Sequence, residues 1–248
     1  MNISFVVPCF NCENYIKKKI YKLCQKLESL KIKYEIILID DFSTDKTLLY
    51  INELKNKIPK LKILKNTKNF GKSFSLIKGI SACKYKHVIF IDCDLPYFES
   101  LGSIIKYLKT NDMVIINRRK RGSKIESYKL NFYLLMRVFL GYLINNFIRT
   151  WFNLTIRDTQ AGLKGFVKPK NFSKIKFISK RFFFDLELIL LFSFSKKKIF
   201  SLQTTYSLDK KSNISFFNLI MNFEILKELI KICFNYKLMN EKIDSFLR

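Results

Sequence analysis

Two carboxylates separated by one residue, Asp92 and Asp94, follow directly on the apolar run Val88-Ile89-Phe90-Ile91. A strand that ends in two acids can turn both toward one hard cation. Mg2+ or Mn2+ would bind these oxygens together with diphosphate oxygens of a substrate. Asp92 and Asp94 are therefore the expected metal ligands. Burying an apolar strand up to two acids is costly unless those acids have a partner. Asp40-Asp41 repeats the arrangement after a second apolar run. One of these acids could accept from a nucleobase N–H or a ribose hydroxyl. The other could cap the next helix, a role that Ser43 or Thr44 would also suit. A third polar cluster, Pro8-Cys9-Phe10-Asn11, ends the first apolar run.

These clusters need strands behind them. Short β-branched runs recur at Ile3–Val7, Tyr34–Ile39, Leu61–Leu64, His87–Ile91 and Met113–Ile116. Helical spacing lies between most of them. Asn11 is placed to cap a helix carrying Ile16, Ile20, Leu23, Cys24 and Leu27. A second helix follows Ser43 or Thr44, with Leu48, Ile51 and Leu54. A third starts near Gly71 and carries Phe74, Ile77 and Ile80. Alternating strands and helices predict a mainly parallel sheet flanked by helices on both faces, an α/β fold. In such sheets ligands bind beyond the carboxyl ends of the strands, which is where the three polar clusters fall.

The chain has 248 residues, enough for one large domain or a domain with an appendage. Hydrophobic residues are 48% and charged residues 27%, which excludes wholesale disorder. The net charge of +26 points to an anionic partner, while abundant Lys, Asn, Ile and Phe also suit an AT-biased genome. Cys9 and Cys12 form a lone C-x-x-C, and His87 is the single histidine, so a structural zinc site is not expected. Buried, reduced thiols are expected instead. The first strand starts almost at Met1 with no signal peptide before it, which gives a cytoplasmic expectation. Arg137, Asn145 and Asn146 interrupt the most apolar stretch, Phe132 to Ile148. A spanning helix needs about 20 mostly apolar residues, so a helix lying in the membrane interface is expected here.

Four of these motifs together resemble the family 2 glycosyltransferases of GT-A fold. They are Pro8-x-Phe10-Asn11, Asp40-Asp41-Phe42-Ser43-Thr44-Asp45, Asn69-Phe70-Gly71-Lys72 and Asp92-Cys93-Asp94. The segment Arg157-Asp158-Thr159-Gln160-Ala161-Gly162-Leu163-Lys164-Gly165-Phe166 resembles the polyprenyl-phosphate hexosyltransferase branch, as does Phe183-Phe184-Asp185-Leu186-Glu187. The resemblance covers about residues 1–209. It implies a nucleotide-diphospho-sugar transferase fold and a nucleoside pocket at Pro8, Phe10 and Asp41, with Asn11, Glu13, Gly71 and Lys72 also against the donor. It further implies ribose or metal contact at Asp92 and metal ligation at Asp94. Arg118 would bind a phosphate, with Arg137 among the cations behind it. Asp158 and Gln160 would lie near the acceptor and the transferred sugar. The chain departs from the family pattern in carrying Cys12 where an acid is usual, with Glu13 one place later. Phe42 stands for a usual Gly, Pro96 for a Gln that ligates metal in relatives, and Asn117 for Ser or Gly.

The reaction so implied transfers hexose from a nucleotide-sugar to a polyprenyl phosphate. UDP-glucose is favoured by the Asp185/Glu187 region, with GDP-mannose as the other donor. A single displacement would invert the anomeric centre. A phosphate acceptor is already anionic near neutral pH, its second pKa being about 6, so the task is to hold two anions together. The run Arg118-Arg119-Lys120-Arg121, with Lys124, Lys129 and Arg137, supplies cations for that. Asp158 would orient a group or act as a modest base. Diacylglycerol or a polysaccharide is the alternative acceptor.

The expected organisation is a catalytic domain over 1–209, with apolar interface helices at 131–152, and an amphipathic extension over 210–248. Phe132, Leu135, Phe139, Leu143, Phe147 and Trp151 recur at helical spacing, with Arg137 and Arg149 able to snorkel. Phe216, Phe217, Leu219, Ile220, Phe223, Leu226, Leu229 and Ile230 do so in the tail, flanked by Lys. The protein is thus expected at the cytoplasmic face of an anionic membrane, peripheral, with a membrane partner protein or a second copy as further partners. Core packing is the competing reading of both stripes. A dehalogenase-type phosphatase would carry its two acids after the first strand, and a residue other than Pro96 beyond them. A basic nucleic-acid-binding protein is the non-enzymatic rival. The single Trp and the apolar setting of most Phe argue against a stacking platform, so nucleic acid is not an expected partner.

Overall fold

The computed structural model describes residues 1–119, 124–126, 132–207 and 219–239. The strands are β1 (Asn2–Cys9), β2 (Lys33–Asp40), β3 (Leu61–Lys65), β4 (His87–Ile91), β5 (Met113–Ile116), β6 (Lys124–Glu126), β7 (Leu163–Val167), β8 (Ile199–Leu202) and β9 (Thr205–Ser207). The helices are α1 (Ile16–Ser29), α2 (Thr47–Lys57), α3 (Lys72–Ser81), α4 (Leu101–Tyr107), α5 (Phe132–Trp151), α6 (Phe184–Phe194) and α7 (Leu219–Met239). Among the described residues, seven strands form one sheet in the order β3-β2-β1-β4-β7-β5-β8, and β6 pairs with β9 apart from it.

The expected parallel sheet forms, with one strand against its grain. β7 pairs antiparallel with both β4 and β5 and so separates them. No period in the sequence reveals this, because β7 belongs to no βαβ unit. The insertion matters for the site: it places the chain leaving the Asp158 segment beside the strand that ends at Asp92 (Ile91 opposite Leu163).

Alternation along the strands divides the core into two layers. Ile3, Phe5 and Val7 of β1, with Ile36 and Leu38 of β2, pack toward α1, α2 and α4. Val6, Ile37 and Ile39 face the other way, toward α3, α6, Ile148 of α5 and α7. α1 buries the five residues its spacing predicted. Its expected cap differs: Asn11 makes no cap bond to α1, and the helix begins after Tyr15. α3 also differs. It buries Ser73, Leu76 and Ile80, while Phe74 is 37% exposed and stacks on Phe70. The face that Phe74 would cover is taken by the loop at 178–183, whose Arg181 and Lys180 carbonyls accept from the Ser73 and Phe74 N–H groups.

α7 is part of this core. Leu229, Ile232, Cys233 and Tyr236 are buried in the same cluster as Phe90 and Phe184. The Tyr236 hydroxyl donates to Glu187 of α6 at 2.8 Å. Leu229, expected in the lipid-facing stripe, lies on the buried side, because the helix must satisfy both the core and the surface. Deleting a buried aliphatic side chain typically costs about 2–5 kcal/mol through lost transfer energy and a residual cavity. Ile232→Ala is therefore expected to lower unfolding stability by about 2–4 kcal/mol in urea melts followed by circular dichroism. Phe234→Ala, at a position 60% exposed, should change it by less than about 0.5 kcal/mol. Equal effects of the two would remove α7 from the cooperative core.

Candidate functional site

The carboxyl ends of β1, β2 and β4 lie side by side, with Cys9 opposite Asp40 in the β1–β2 register. Each strand passes its chain to a loop there, and the loop amides need acceptors. Asn11 and Glu13 serve that need. The Asn11 side-chain oxygen accepts from Thr44 N at 2.9 Å and Thr44 Oγ1 at 3.3 Å. Glu13 accepts from Lys46 N at 2.8 Å, and Glu13 N donates to Asp45 at 3.1 Å. Both residues were expected against the donor, and Asn11 also as a helix cap. The structure shows them clamping the β1 loop to the β2 loop, because this junction exposes unpaired amides that only nearby side-chain oxygens reach. Pro8 and Phe10 are half-buried beside this clamp. Cys9 and Cys12 are buried free thiols, as expected for structural cysteines.

Asp41 is 4% exposed, and its carboxylate is committed inside the protein. It accepts from Asn66 Nδ2 at 2.7 Å, Phe70 N at 3.0 Å and Gly71 N at 2.8 Å. These bonds brace the 66–71 loop, since a buried carboxylate needs several donors and backbone amides supply them. Gly71 has φ +94, and a Cβ on it would meet Arg181 at 2.9 to 3.0 Å. Only glycine fits that turn and that contact.

Lys72, the first residue of α3, donates to Asp92 Oδ1 at 2.6 Å. Burial would lower its pKa, but Asp92 first, then Asp185 and Asp94, raise it above the ordinary lysine range. Asp92 is seated by its neighbours. Its N–H donates to Gly162 O at 3.2 Å, and its carbonyl accepts from Leu95 N at 2.9 Å. A Cβ on Gly162 would fall 2.0 Å from Asp92 Oδ2.

Arg118 and Asp158 form the second centre. The guanidinium Nε and Nη2 donate to the two carboxylate oxygens at 2.7 and 2.9 Å, and Arg118 N donates at 3.0 Å. Gln160 N adds a bond at 3.3 Å. Burial alone would raise the Asp158 pKa, but the bonds and charge of Arg118 hold it at about 2. The Arg118 fork pairs with Asp158, because a fully buried carboxylate needs a bidentate cation. α5 supports this segment from behind, with Asn145 Nδ2 donating to Arg157 O and Asn145 Oδ1 accepting from Thr159 N and Oγ1. The side chains of Lys124, Lys129 and Arg137 lie outside the described residues, as do Lys120 and Arg121.

Sequence reasoning gave no role to a third pair. Lys164 of β7 is 0% exposed and donates to Asp185 of α6 and, at 2.6 Å, to Ala161 O. Burial lowers its pKa, with Asp185 acting in the opposite direction. The signal was readable: a lysine inside Leu163–Phe166 must find an acid, and Asp185 opens an apolar helix. Tyr97 is also new. Burial pushes its hydroxyl up to about 12, within the fields of Arg118, Asp158, Asp92 and Lys72.

The arrangement can bind anionic phosphates with cations and orient hydroxyls with fixed carboxylates. Among the described residues no group of three or more His, Cys, Asp or Glu could hold a metal. Two carboxylates from one strand end suit a hard divalent cation that keeps water and shares substrate oxygens, rather than a metal caged by protein alone.

Residues 4–164 match the family model described as glycosyl transferase family 2. The chain belongs to that family. A dolichyl-phosphate beta-glucosyltransferase of Dictyostelium discoideum is 26% identical over 98% of this chain and 77% of its own length. The bactoprenol glucosyl transferase of Shigella phage SfX is 38% identical over 50% of this chain and 41% of its own length. The chain spans only about two fifths of several curated relatives (39% and 36% of two others). Glucosyl-3-phosphoglycerate synthase from Mycobacterium tuberculosis, solved with Mn2+, UDP and glucosyl-3-phosphoglycerate, superimposes with a TM-score of 0.67 at 16% identity. The match covers 94% of this chain and 80% of that one. It places the family 2 chain in the GT-A fold.

Two outcomes follow from this geometry. Gly162→Ala should displace the Asp92 carboxylate and cut sugar transfer at least about 100-fold, while the circular dichroism spectrum stays unchanged. Wild-type transfer in that variant would show that Asp92 is not held by Gly162. The depressed carboxyl of Asp158 contributes stability that is complete above its ordinary pKa of 3.8 and is lost as pH falls through about 2. Urea midpoints measured between these pH values should fall more steeply for the wild type than for Asp158→Asn.

Proposed function

We propose that this family 2 glycosyltransferase moves glucose from UDP-glucose to a polyprenyl phosphate at an anionic membrane surface. The observation that carries the reading is the seating of Asp92 against Gly162 and Lys72, next to the Asp158 segment. On this reading, a donor-diphosphate centre at Asp92 and an acceptor centre at the Asp158 segment share one sheet edge. The names of the Dictyostelium and phage relatives support a lipid-phosphate acceptor and a glucosyl donor.

A Mg2+ or Mn2+ ion held by Asp92 and Asp94 would neutralise charge on the departing diphosphate. The protein's own residues do the rest. Asp41 holds the 66–71 loop in the shape that presents Lys72 to the donor phosphates. Pro8 and Phe10 flank the nucleoside. Arg118 and Asp158 form a rigid pair that orients the sugar and keeps the carboxylate ionised. A polyprenyl phosphate attacks the anomeric carbon directly, since its oxygens are already charged and no strong base is required. The anomeric configuration is inverted in this single displacement.

An apolar surface supports the membrane part. Phe139, Leu143, Phe147 and Trp151 of α5 are exposed, as are Phe223, Leu226, Ile230 and Phe234 of α7. The two helices meet where Trp151 Nε1 donates to Cys233 O and its ring lies edge-on to Phe234. Exposed aromatics with Lys227 and Lys231 between them, and Lys237 over the Trp151 ring, suit an interfacial helix pair. Among the described residues no helix is long and apolar enough to cross a membrane.

The test uses purified protein, bacterial or microsomal membranes and labelled UDP-glucose or GDP-mannose. Labelled, mild-acid-labile lipid is expected from UDP-glucose. Asp94→Ala should reduce it at least about 100-fold with an unchanged fold. No lipid label from either donor would overturn the acceptor assignment. Full activity of Asp94→Ala would overturn the metal role.

A further inference from the structure

The Lys72–Asp92 pair bears on how the metal enters, an inference that rests on the proposed function above. The Lys72 ammonium already holds one of the two Asp92 oxygens. Oδ1 lies 2.6 Å from the Lys72 ammonium, and Oδ2 packs on Gly162, where even a methyl group would fall 2.0 Å away. A divalent cation needs at least one of them. Asp92 does not escape by shifting its backbone, which Gly162 O and Leu95 N hold on either side. The base of Lys72 is equally fixed, since the carbonyls of Arg181 and Lys180 cap the two residues that follow it. The mobile component is the lysine side chain, with its four rotatable bonds. About one third of each side chain is exposed (33% for Lys72, 32% for Asp92), so an incoming anion can reach the ammonium from solvent.

We propose that Lys72 is a placeholder cation that keeps divalent metal off Asp92 until the donor diphosphate arrives. A metal and an ammonium cannot share one carboxylate oxygen at contact distance without strong repulsion. A nucleoside diphosphate changes the balance in two ways. It offers Lys72 another anion, which draws the ammonium from Oδ1. It also brings its own oxygens to the metal. Metal and donor therefore enter together, and the protein without nucleotide binds metal weakly. Pro96 fits this order, because it supplies no side-chain ligand that would hold metal in the absence of diphosphate. Lys72 is in this sense a positioning residue: it sets the order in which the site fills.

The experiment measures Mn2+ binding by the electron paramagnetic resonance signal of free Mn2+, with UDP binding followed separately by calorimetry. The full chain is used as wild type, Lys72→Met and Lys72→Arg, each checked by circular dichroism. Without nucleotide, Lys72→Met should bind Mn2+ at least about tenfold more tightly than wild type, and Lys72→Arg should match wild type. Saturating UDP should tighten Mn2+ binding strongly in wild type and much less in Lys72→Met. Equal or weaker Mn2+ binding by Lys72→Met without nucleotide would overturn the placeholder role. So would a UDP effect of the same size in both proteins. If UDP fails to bind wild type with Mn2+ present, the donor assignment falls instead, and the nucleotide-free comparison still judges Lys72.

Discussion

A carboxylate at the end of a buried strand cannot remain unpaired, and the site follows from how this chain meets that demand. Asp92, Asp158 and Asp185 each stand at or near the polar edge of the sheet, and each is matched by a cation from another element: Lys72, Arg118 and Lys164. Removing Arg118 from Asp158, or Lys164 from Asp185, would strand a buried carboxylate at low dielectric, a far larger cost than the pair contributes when intact, while the one-third exposed Lys72–Asp92 pair can open toward solvent. The pairs are therefore locating devices. They fix where α3, β7 and α6 begin relative to the acidic edge of β4, to within hydrogen-bond tolerance.

A second layer of polar contacts carries this order outward. Asp41 holds the loop that leads into α3. The 178–183 loop leans on Gly71 and caps α3 with its carbonyls. That loop is in turn held by two glutamates. Glu187 of α6 accepts from Ile178 N, and Glu228 of α7 accepts from Lys180 N, each at 2.8 Å. The helix whose outer face shows Phe223 and Phe234 thus reaches, through its Glu228, the loop that sets the start of α3 and so Lys72. On the other side, α5 exposes Phe147 and Trp151 while its Asn145 binds the Asp158 segment. Each of the two surface helices has one face committed to a half of the site.

Much of this was legible from residue types. Five strands and three helices sit where alternation and helical spacing place them, because one-sided burial imposes a period on the sequence. Asp92 and Asp94 stood out by position at a strand end, and Asp158, Gly71 and Lys72 by the motifs they share with the family. Their partners did not. The sequence did not show that Asn11 and Glu13 bridge the β1 and β2 loops. Nor did it show that the fork of Arg118 meets Asp158, forty residues away. Lys164 and Asp185 looked like parts of a motif rather than a pair.

The sequence by itself determined the buried faces of β1, β2 and α1, the order of five strands and three helices, and which residue types stand at the edge of the sheet. All of these depend on local period and on short-range backbone preferences. Only the tertiary structure decided the antiparallel insertion of β7, the sharing of α7 between core and surface, and which carboxylate meets which cation. Those depend on contacts between residues far apart in the chain, where the requirement to pair a buried charge fixes that a partner exists but not which one.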